Sequence, residues 1–176
     1  MSNSATVKRT VDVTRTYLRM QRPSALKPAL INDPRLTFEC LAQCDVATAR
    51  SYYCAVGATW NWNDRNRWSD AEYQAYLDRP GLTLWLLRFG SDDAGFVEIE
   101  QHHDGAVALA LFGLLPRYVG RGFGKHLLTC AVRASWGMKP HTVWLHTCTL
   151  DSPRALPNYV KRGFSPYREE KYQALV

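Results

Sequence analysis

This sequence has no stretch that is long and apolar enough to cross a membrane. None of its apolar runs approaches the roughly 20 residues that a membrane-spanning helix requires. The first six residues are polar and lack the hydrophobic segment of a signal peptide. Internal repeats and low-complexity tracts are also absent. We therefore expect a cytoplasmic protein that has no membrane as a partner.

Paired cysteine spacings are missing as well. The five cysteines are odd in number and lack the short paired intervals of zinc ribbons or disulfide frameworks. We expect no metal and mostly buried, reduced thiols. The net charge of +6 favours anionic partners in general. The basic residues are dispersed and no helix-turn-helix, zinc or RNA-binding motif is present, which argues against nucleic acid as a partner.

The 176 residues are 46% hydrophobic and 22% charged, which is ordinary for a globular protein. A chain of this length buries roughly two-thirds of the surface that its unfolded form exposes. We therefore predict that residues 1–176 form a single domain.

The order of apolar patterns predicts an α/β (α+β) fold. Strands are predicted for residues 11–20, 36–42, 83–89, 95–100, 106–112, 142–147 and 164–172. Helices are predicted for residues 45–56, from the cap Ser69 to Pro80, from the glycine loop to about Trp136, and for a short segment that begins at Pro153 or nearer Leu156. Charged neighbours in the first strand suggest an edge position, whereas the apolar strand 106–112 should be covered on both faces. The prediction is a central, mixed, twisted sheet of about seven strands flanked by about four helices.

The most informative motif is the glycine-rich loop at residues 120–125, between an apolar strand and an amphipathic helix. Glycine lets the backbone approach a ligand closely, and the first N–H groups and the dipole of the helix favour phosphate. A dinucleotide fingerprint would need a third glycine at Lys125 or Leu127. A nucleotide-triphosphate loop would need glycine at Val119 and Ser or Thr at His126. Both of these nucleotide loops are excluded.

Two motifs, covering residues 109–164 with the strand before them, resemble the GCN5-related N-acetyltransferase (GNAT) superfamily. The first is its acyl-CoA loop, which has Gln or Arg, two residues, Gly, one residue, and Gly or Ala, here residues 119–124. The second has Asn, Ala and Tyr at intervals of four, then Gly-Phe. Its places are filled here by Asp151, Ala155, Tyr159 and Gly163-Phe164. Val119 and Asp151 depart from the family pattern, so side-chain contacts to a cofactor are in doubt at these two positions.

The resemblance implies an acyltransferase that moves an acetyl group from acetyl-CoA to an amine. It also implies a set of cofactor-binding residues: Leu114, Leu115, Arg117, Val119, Gly120, Arg121, Gly122, Phe123, Gly124, Lys125 and Asp151. Arg117, Arg121 and Lys125 would supply positive charge. Tyr159 is implied as the general acid that protonates the departing thiolate, which a phenol is able to do.

Direct transfer also needs a base and a donor to the thioester carbonyl. A backbone N–H on strand 95–100 is the expected donor. Because an amine arrives protonated at neutral pH, a carboxylate or histidine should remove its proton. Glu98 is the first choice, Glu100 on the same strand face is the second, and His146 is the third. A solvated strand-face charge is the competing interpretation for each carboxylate.

Aromatic residues crowd the first two helices and their connection. Tyr53, Trp60 and Trp62 are our candidates for binding the acceptor, because this density suits a cationic or aromatic amine. Ordinary core packing is the alternative. The acceptor is a small-molecule amine or a protein or peptide amine, and a homodimer is left open.

Two further functions compete with acetyl transfer. The departures at Val119 and Asp151 suggest a CoA-binding or sensor module that lacks catalysis. The basic, aromatic composition suggests, with less support, an RNA-associated enzyme that acetylates the amine of aminoacyl-tRNA.

Overall fold

One seven-stranded sheet forms the centre of the protein in a computed structural model that describes residues 9–176. Its strands are β1 (Thr10–Met20), β2 (Leu36–Leu41), β3 (Leu82–Phe89), β4 (Asp92–Gln101), β5 (Ala106–Leu114), β6 (Thr142–Cys148) and β7 (Ser165–Leu175). The order across the sheet is β2-β3-β4-β5-β6-β1-β7. Among the strands of residues 9–176, only β5 and β6 pair in parallel. The mixed sheet and its strand count confirm the predicted fold class.

Four α-helices flank the sheet: α1 (Val46–Gly57), α2 (Asp70–Leu77), α3 (Phe123–Gly137) and α4 (Ala155–Lys161). Local signals set their starts. The Asp45 side chain accepts the N–H of Thr48, and Ser69 with Glu72 forms the expected capping box. Helix α4 begins at Ala155, which places Pro157 in its first turn, where a missing N–H does no harm.

The helices cover opposite faces of the sheet. The larger core lies between the sheet and α3 with α4, and it includes Leu127, Val132 and Tyr159. A smaller core lies between β3, β4 and the α1–α2 layer, with Tyr73 and Phe96 fully buried. The two layers are joined through the central strands, so residues on β4 and β5 connect both sides of the molecule.

Strand β1 lies inside the sheet, between β6 and β7. The expected edge position is therefore wrong, and β2 and β7 are the edges. The charged residues that suggested an edge are accommodated in cross-strand contacts. Arg15 stands opposite Glu170 on β7, and its guanidinium lies 4.9 Å from the centre of the Tyr172 ring.

Two smaller predictions also need correction. The sequence predicts the turn between β3 and β4 at Asp92-Asp93. Gly90, with φ of 64°, and Ser91 form this turn instead, because Asp92 already pairs with Phe89 in the hairpin. The five cysteines are all free, as expected, but Cys40 and Cys54 are exposed and the other three are half-buried. The expectation of mostly buried thiols is wrong.

The parallel pairing of β5 with β6 ends early. It joins only residues Ala106, Val107 and Ala108 to the start of β6. On the other side of β5, Glu98 pairs with Leu111 and Ile99 with Leu109, so Ala110 is an extra, bulged residue. Beyond Ala108 the strands β5 and β6 therefore separate and open a cleft inside the sheet.

The segment that follows β1, residues 21–35, crosses the outer side of α3 and is called the strap. The N–H of Ala29 donates to Thr129 Oγ1 at 3.0 Å, and the N–H of Ile31 donates to His126 Nδ1 at 3.0 Å. Further back, the N–H of Lys27 donates to the Arg162 carbonyl at 3.0 Å. Helices α3 and α4 are thereby tied to the N-terminal strand.

Candidate active site

A cleft of about 890 Å³ occupies the gap between β5 and β6. One side, the glycine-loop half, is lined by Val119, Gly120, Gly122, Gly124, Lys125, Arg154 and Asn158. The other side, the aromatic half, is lined by residues of α1 and of the α1–α2 connection: Tyr53, Trp60, Trp62, Asp64 and Arg65. Residues 109–114 of β5 form the floor between them. The cleft is large enough for a drug-sized ligand.

The glycine loop has the backbone that an anion site requires. Gly120 and Gly122 have φ of 83° and 80°, a left-handed conformation that other residues rarely adopt. Helix α3 begins immediately afterwards at Phe123, and the first N–H groups of a helix have no partner within it. Its dipole adds partial positive charge at the same end. The loop and the first turn of α3 therefore hold backbone N–H groups beside the cleft, and phosphate binding by these groups stays a prediction.

Two cations stand at this half of the cleft. Lys125 lies in the first turn of α3 and Arg154 precedes α4, and neither makes an ion pair within residues 9–176. Asn158 donates to the Gly124 carbonyl at 3.5 Å, which connects α4 to the loop. Arg154 and Asn158 were not among the residues predicted from the sequence, although both lie inside the second motif.

Four of the proposed cofactor residues do not line the cleft. Arg117 turns to Asp92 at 3.3 Å, and the Arg121 guanidinium lies 5.0 to 5.2 Å from the rings of Phe89, Tyr118 and Phe123. Phe123 itself is 5% exposed in the larger core, and Leu115 packs between the layers. The Asp92 carboxylate holds Arg117 and the aromatic rings hold Arg121, so neither guanidinium lines the cleft.

Tyr159 lies on α4 and lines the cleft, with its ring edge against Phe112 at 6.0 Å between centroids. Burial, together with the negative charge of Asp151, raises the pKa of the Tyr159 phenol. It therefore keeps its proton at neutral pH. Asp151 also lines the cleft, where its carboxylate accepts from Thr147 Oγ1 at 2.7 Å and from the N–H of Cys148 at 2.8 Å. These bonds fix the end of β6.

Glu98 and Glu100 lie on the α1–α2 side of β4, one strand away from the cleft floor. Glu98 is 1% exposed and forms a two-pronged ion pair with Arg65, with both N–O distances 2.9 Å. Glu100 is paired with Arg79. Neither carboxylate lines the cleft. The two preferred bases are thus paired with arginines. In addition, β5 stands between their strand β4 and the gap that opens between β5 and β6.

His146, the third choice, does line the cleft from β6 and is exposed to it. The protein packed around its ring, together with the charge of Arg15, lowers the pKa of His146, while Asp151 acts in the opposite direction. Its imidazole is therefore neutral at pH 7 and able to accept a proton.

The aromatic half consists of rings packed on one another. Tyr53 and Trp62 have centroids 5.6 Å apart, and Trp62 stands edge-on to Phe96 at 6.5 Å. Tyr53 is almost fully buried, so core packing explains much of this density. Asp64 is exposed at the same wall and makes no ion pair within the described residues.

No helix within residues 9–176 is long and apolar enough to cross a membrane. The same residues contain no group of three or more His, Cys, Asp or Glu side chains that would hold a metal ion.

Residues 49–164 match the family model described as the acetyltransferase (GNAT) family. The chain belongs to this family. The match covers both motifs, the cleft floor and the whole of α3. The glycine loop and the separated strands of this GNAT domain therefore lie inside the matched region. No curated protein sequence matches the chain significantly.

Several solved structures share the GNAT fold at low sequence identity. A GCN5-related N-acetyltransferase from Kribbella flavida is 16% identical, with a TM-score of 0.62, over 94% of this chain and 59% of that one. A putative GNAT-family acetyltransferase from Novosphingobium aromaticivorans is 15% identical, with a TM-score of 0.61, over 96% and 66%. An aminoglycoside acetyltransferase from a soil metagenome is 15% identical, with a TM-score of 0.60, over 74% and 88%. The chain spans 52% to 66% of the length of five solved structures that share its fold.

Proposed function

We propose that this chain transfers an acetyl group from acetyl-CoA to an amine by direct attack. The observation that carries the proposal is a single cleft with two different ends. A backbone anion site lies at one end, an aromatic wall lies at the other, and Tyr159 and His146 line the same cleft. Such an arrangement allows a donor and an acceptor to meet over the gap between β5 and β6.

The glycine-loop half suits the phosphates of CoA. Backbone N–H groups from residues 120–124 would hold the pyrophosphate, and Lys125 and Arg154 would add charge. The left-handed glycines support this fit, because a side chain there would strain the loop. Val119 lines the cleft without a polar group, so backbone contacts replace the side-chain contact that is usual in the family.

The reaction forms a C–N bond between the amine and the carbonyl carbon and breaks the C–S bond of the thioester. We assign polarisation of the carbonyl to a backbone N–H of β5 near the bulge at Ala110. Beyond Ala108 this edge of β5 has lost its β6 partner, so its amides face the cleft. This assignment replaces strand 95–100, which lies behind β5. Tyr159 then donates its proton to the departing thiolate.

We assign the general base to His146 in place of Glu98 and Glu100. A base must reach the amine directly or through one water molecule. His146 lines the cleft and is neutral, whereas the two carboxylates are paired with arginines outside it. One amine proton passes to the imidazole and then to solvent. The second proton leaves the nitrogen as the C–S bond breaks and restores the hydroxyl of Tyr159, which gave its own proton to the thiolate.

The acceptor we infer is a cationic or aromatic amine bound by Trp60 and Trp62. Aromatic faces attract cations, and the unpaired carboxylate of Asp64 adds to that attraction. One structure with the same fold is an aminoglycoside acetyltransferase bound to sisomicin, with 14% identity and a TM-score of 0.57 over 70% of this chain. Polyamines and aminoglycosides are therefore sensible first acceptors.

The test has two stages. Thermal unfolding is measured with and without acetyl-CoA, because a ligand at ~100 times its Kd stabilises the folded state by about 2.7 kcal/mol. Thiol release is then followed with an amine panel of sisomicin, spermidine, lysine and tryptamine. Absence of any stabilisation at millimolar acetyl-CoA would overturn the proposal. Stabilisation without turnover of any amine would support the non-catalytic sensor instead.

A further inference from the structure

The side chain of Glu98 is buried and surrounded by polar partners. Its two oxygens accept from the two terminal nitrogens of Arg65, both at 2.9 Å, and Tyr76 donates its hydroxyl to the same carboxylate at 2.6 Å. The Arg65 guanidinium lies 4.0 Å from the centre of the Tyr76 ring. Although burial opposes it, the ion pair with Glu98 raises the pKa of Arg65, so the guanidinium stays charged. Within residues 9–176, the hydrogen-bond partners of the Glu98 side chain come from the α1–α2 layer.

Arg65 belongs to the segment that carries the aromatic wall. Residues 58–69 connect α1 to α2, and six consecutive residues, 60–65, line the cleft. Most hydrogen bonds of this segment stay inside it or return to α1, such as Trp62 N–H to the Gly57 carbonyl and Arg65 N–H to the Tyr53 hydroxyl. Trp60, Trp62 and Trp68 pack against the smaller core, and among residues 9–176 the ion pair with Glu98 is the side-chain polar contact of this segment with the sheet.

A buried ion pair is a poor source of stability, because desolvation of both charges offsets their attraction. It does, however, fix one geometry strongly, since a planar guanidinium and a carboxylate meet in a single two-pronged arrangement. A connection without helix or strand would otherwise sample many positions of its rings. The pair therefore fixes the position of the cleft wall while adding little to the stability of the fold.

We infer that Arg65 and Glu98 are positioning residues that hold the acceptor-binding segment 58–69 against β4 and thereby set acceptor affinity. Glu98 acts through Arg65 on the wall that carries Trp60 and Trp62, without contacting the acceptor. Only the predicted change in acceptor affinity rests on the proposed acetyl transfer. The effect on the segment itself is independent of any ligand.

The central variant is Glu98→Gln, which keeps the shape of the side chain and removes its charge. A second variant replaces the whole cluster with apolar groups, as Arg65→Met, Glu98→Leu and Tyr76→Phe together, so that no charge is left buried without a partner. The matched control is Arg79→Met. It breaks the ion pair of Glu100 on the same strand face, at a position outside the cleft.

Hydrogen exchange followed by mass spectrometry is the ligand-free measurement. In Glu98→Gln, exchange over residues 58–69 should rise about tenfold, whereas residues 120–137 should exchange as in the parent protein. The apolar triple variant should return most of the protection, and Arg79→Met should leave residues 58–69 unchanged. Unchanged exchange of this segment in Glu98→Gln would overturn the inference.

Kinetics separate positioning from catalysis, using the best amine of the panel. A positioning role predicts that Glu98→Gln raises the acceptor KM about tenfold, while the acetyl-CoA Kd and the shape of the pH profile stay the same. A loss of kcat with a changed acid limb, persisting in the triple variant, would identify Glu98 as the base and overturn the inference. If the parent protein fails to bind acetyl-CoA, the proposed function falls while the exchange result still decides this point.

Discussion

The two halves of the cleft are built in different ways. The glycine-loop half presents mainly backbone, shaped by left-handed Gly120 and Gly122 and by the start of α3. The aromatic half presents side chains on a connection that is attached to the sheet through Arg65 and Glu98. Backbone geometry tolerates changes in neighbouring side chains, as the departure at Val119 illustrates. The position of a wall of side chains depends on contacts far from it. We therefore expect substitutions to change the shape of the aromatic half more, and this half to determine which acceptor binds.

Among changes in the two halves of the cleft, loss of the Tyr159 hydroxyl should have the largest effect on turnover. Tyr159→Phe should lower kcat by about a hundredfold or more, because the thiolate would leave without its proton donor. The acetyl-CoA Kd, measured by calorimetry, should stay the same. Tyr118→Phe is the control, since it removes a hydroxyl that bonds Asp92 outside the cleft. An unchanged kcat in Tyr159→Phe would refute its role as the acid.

Replacement of His146 should change the pH dependence as well as the rate. The imidazole acts in its neutral form and its pKa lies below the usual 6.5, so turnover should fall only as the pH drops below that value. His146→Gln should lower kcat roughly tenfold to a hundredfold at pH 7.5 and remove this acid limb. His102→Gln, on the same sheet face outside the cleft, serves as control. If His146→Gln retains the acid limb, a group other than His146 is the general base.

A backbone change should damage only the glycine-loop half. Gly122→Ala forces a side chain into a left-handed conformation, at a cost of about 1–2 kcal/mol. We expect acetyl-CoA binding to weaken about tenfold, since relief of that strain moves the amides that hold phosphate. Gly90→Ala carries the same kind of strain in the β3–β4 turn. Equal losses of acetyl-CoA affinity in both variants would contradict a phosphate-binding role for the loop.

The side-chain charge in the same half should contribute less than its backbone. Lys125→Ala should weaken acetyl-CoA binding severalfold at low salt, and the difference should shrink at about 0.5 M salt, where screening is strong. Lys171→Ala, which removes a surface charge on β7, is the matched control. A salt-independent loss would indicate that Lys125 acts through packing.

The smallest effect concerns the strap that supports the glycine loop. His126 accepts the N–H of Ile31 in its neutral form, and burial lowers the pKa of His126. Its contribution to stability is therefore present above the unfolded value of about 6.5 and is lost as the pH falls toward the folded pKa. Urea unfolding at pH 7.5 and 5.5 should show a smaller pH dependence for His126→Gln. An equal pH dependence in parent and variant would exclude His126 as the cause.

Elements with strong local signals were predicted well. The capping box at Ser69 and the glycine loop before α3 each depend on residues within one turn of each other. The position of β1 was mistaken, because alternation with charged neighbours describes exposure of one face and says nothing about which strands lie beside it. Pairing across more than a hundred residues has no signature within the strand itself.

For the site, the glycine spacing predicted a loop in front of a helix N-terminus, and the resemblance to the GNAT superfamily pointed to Tyr159 one motif later. These features depend on backbone conformation over a few residues, which sequence controls directly. The fate of Glu98 depended on tertiary structure. Its partner Arg65 lies 33 residues earlier in the chain, and β5 stands between its strand and the cleft. Only the packing of the α1–α2 layer on the sheet decides whether that carboxylate meets a substrate or an arginine.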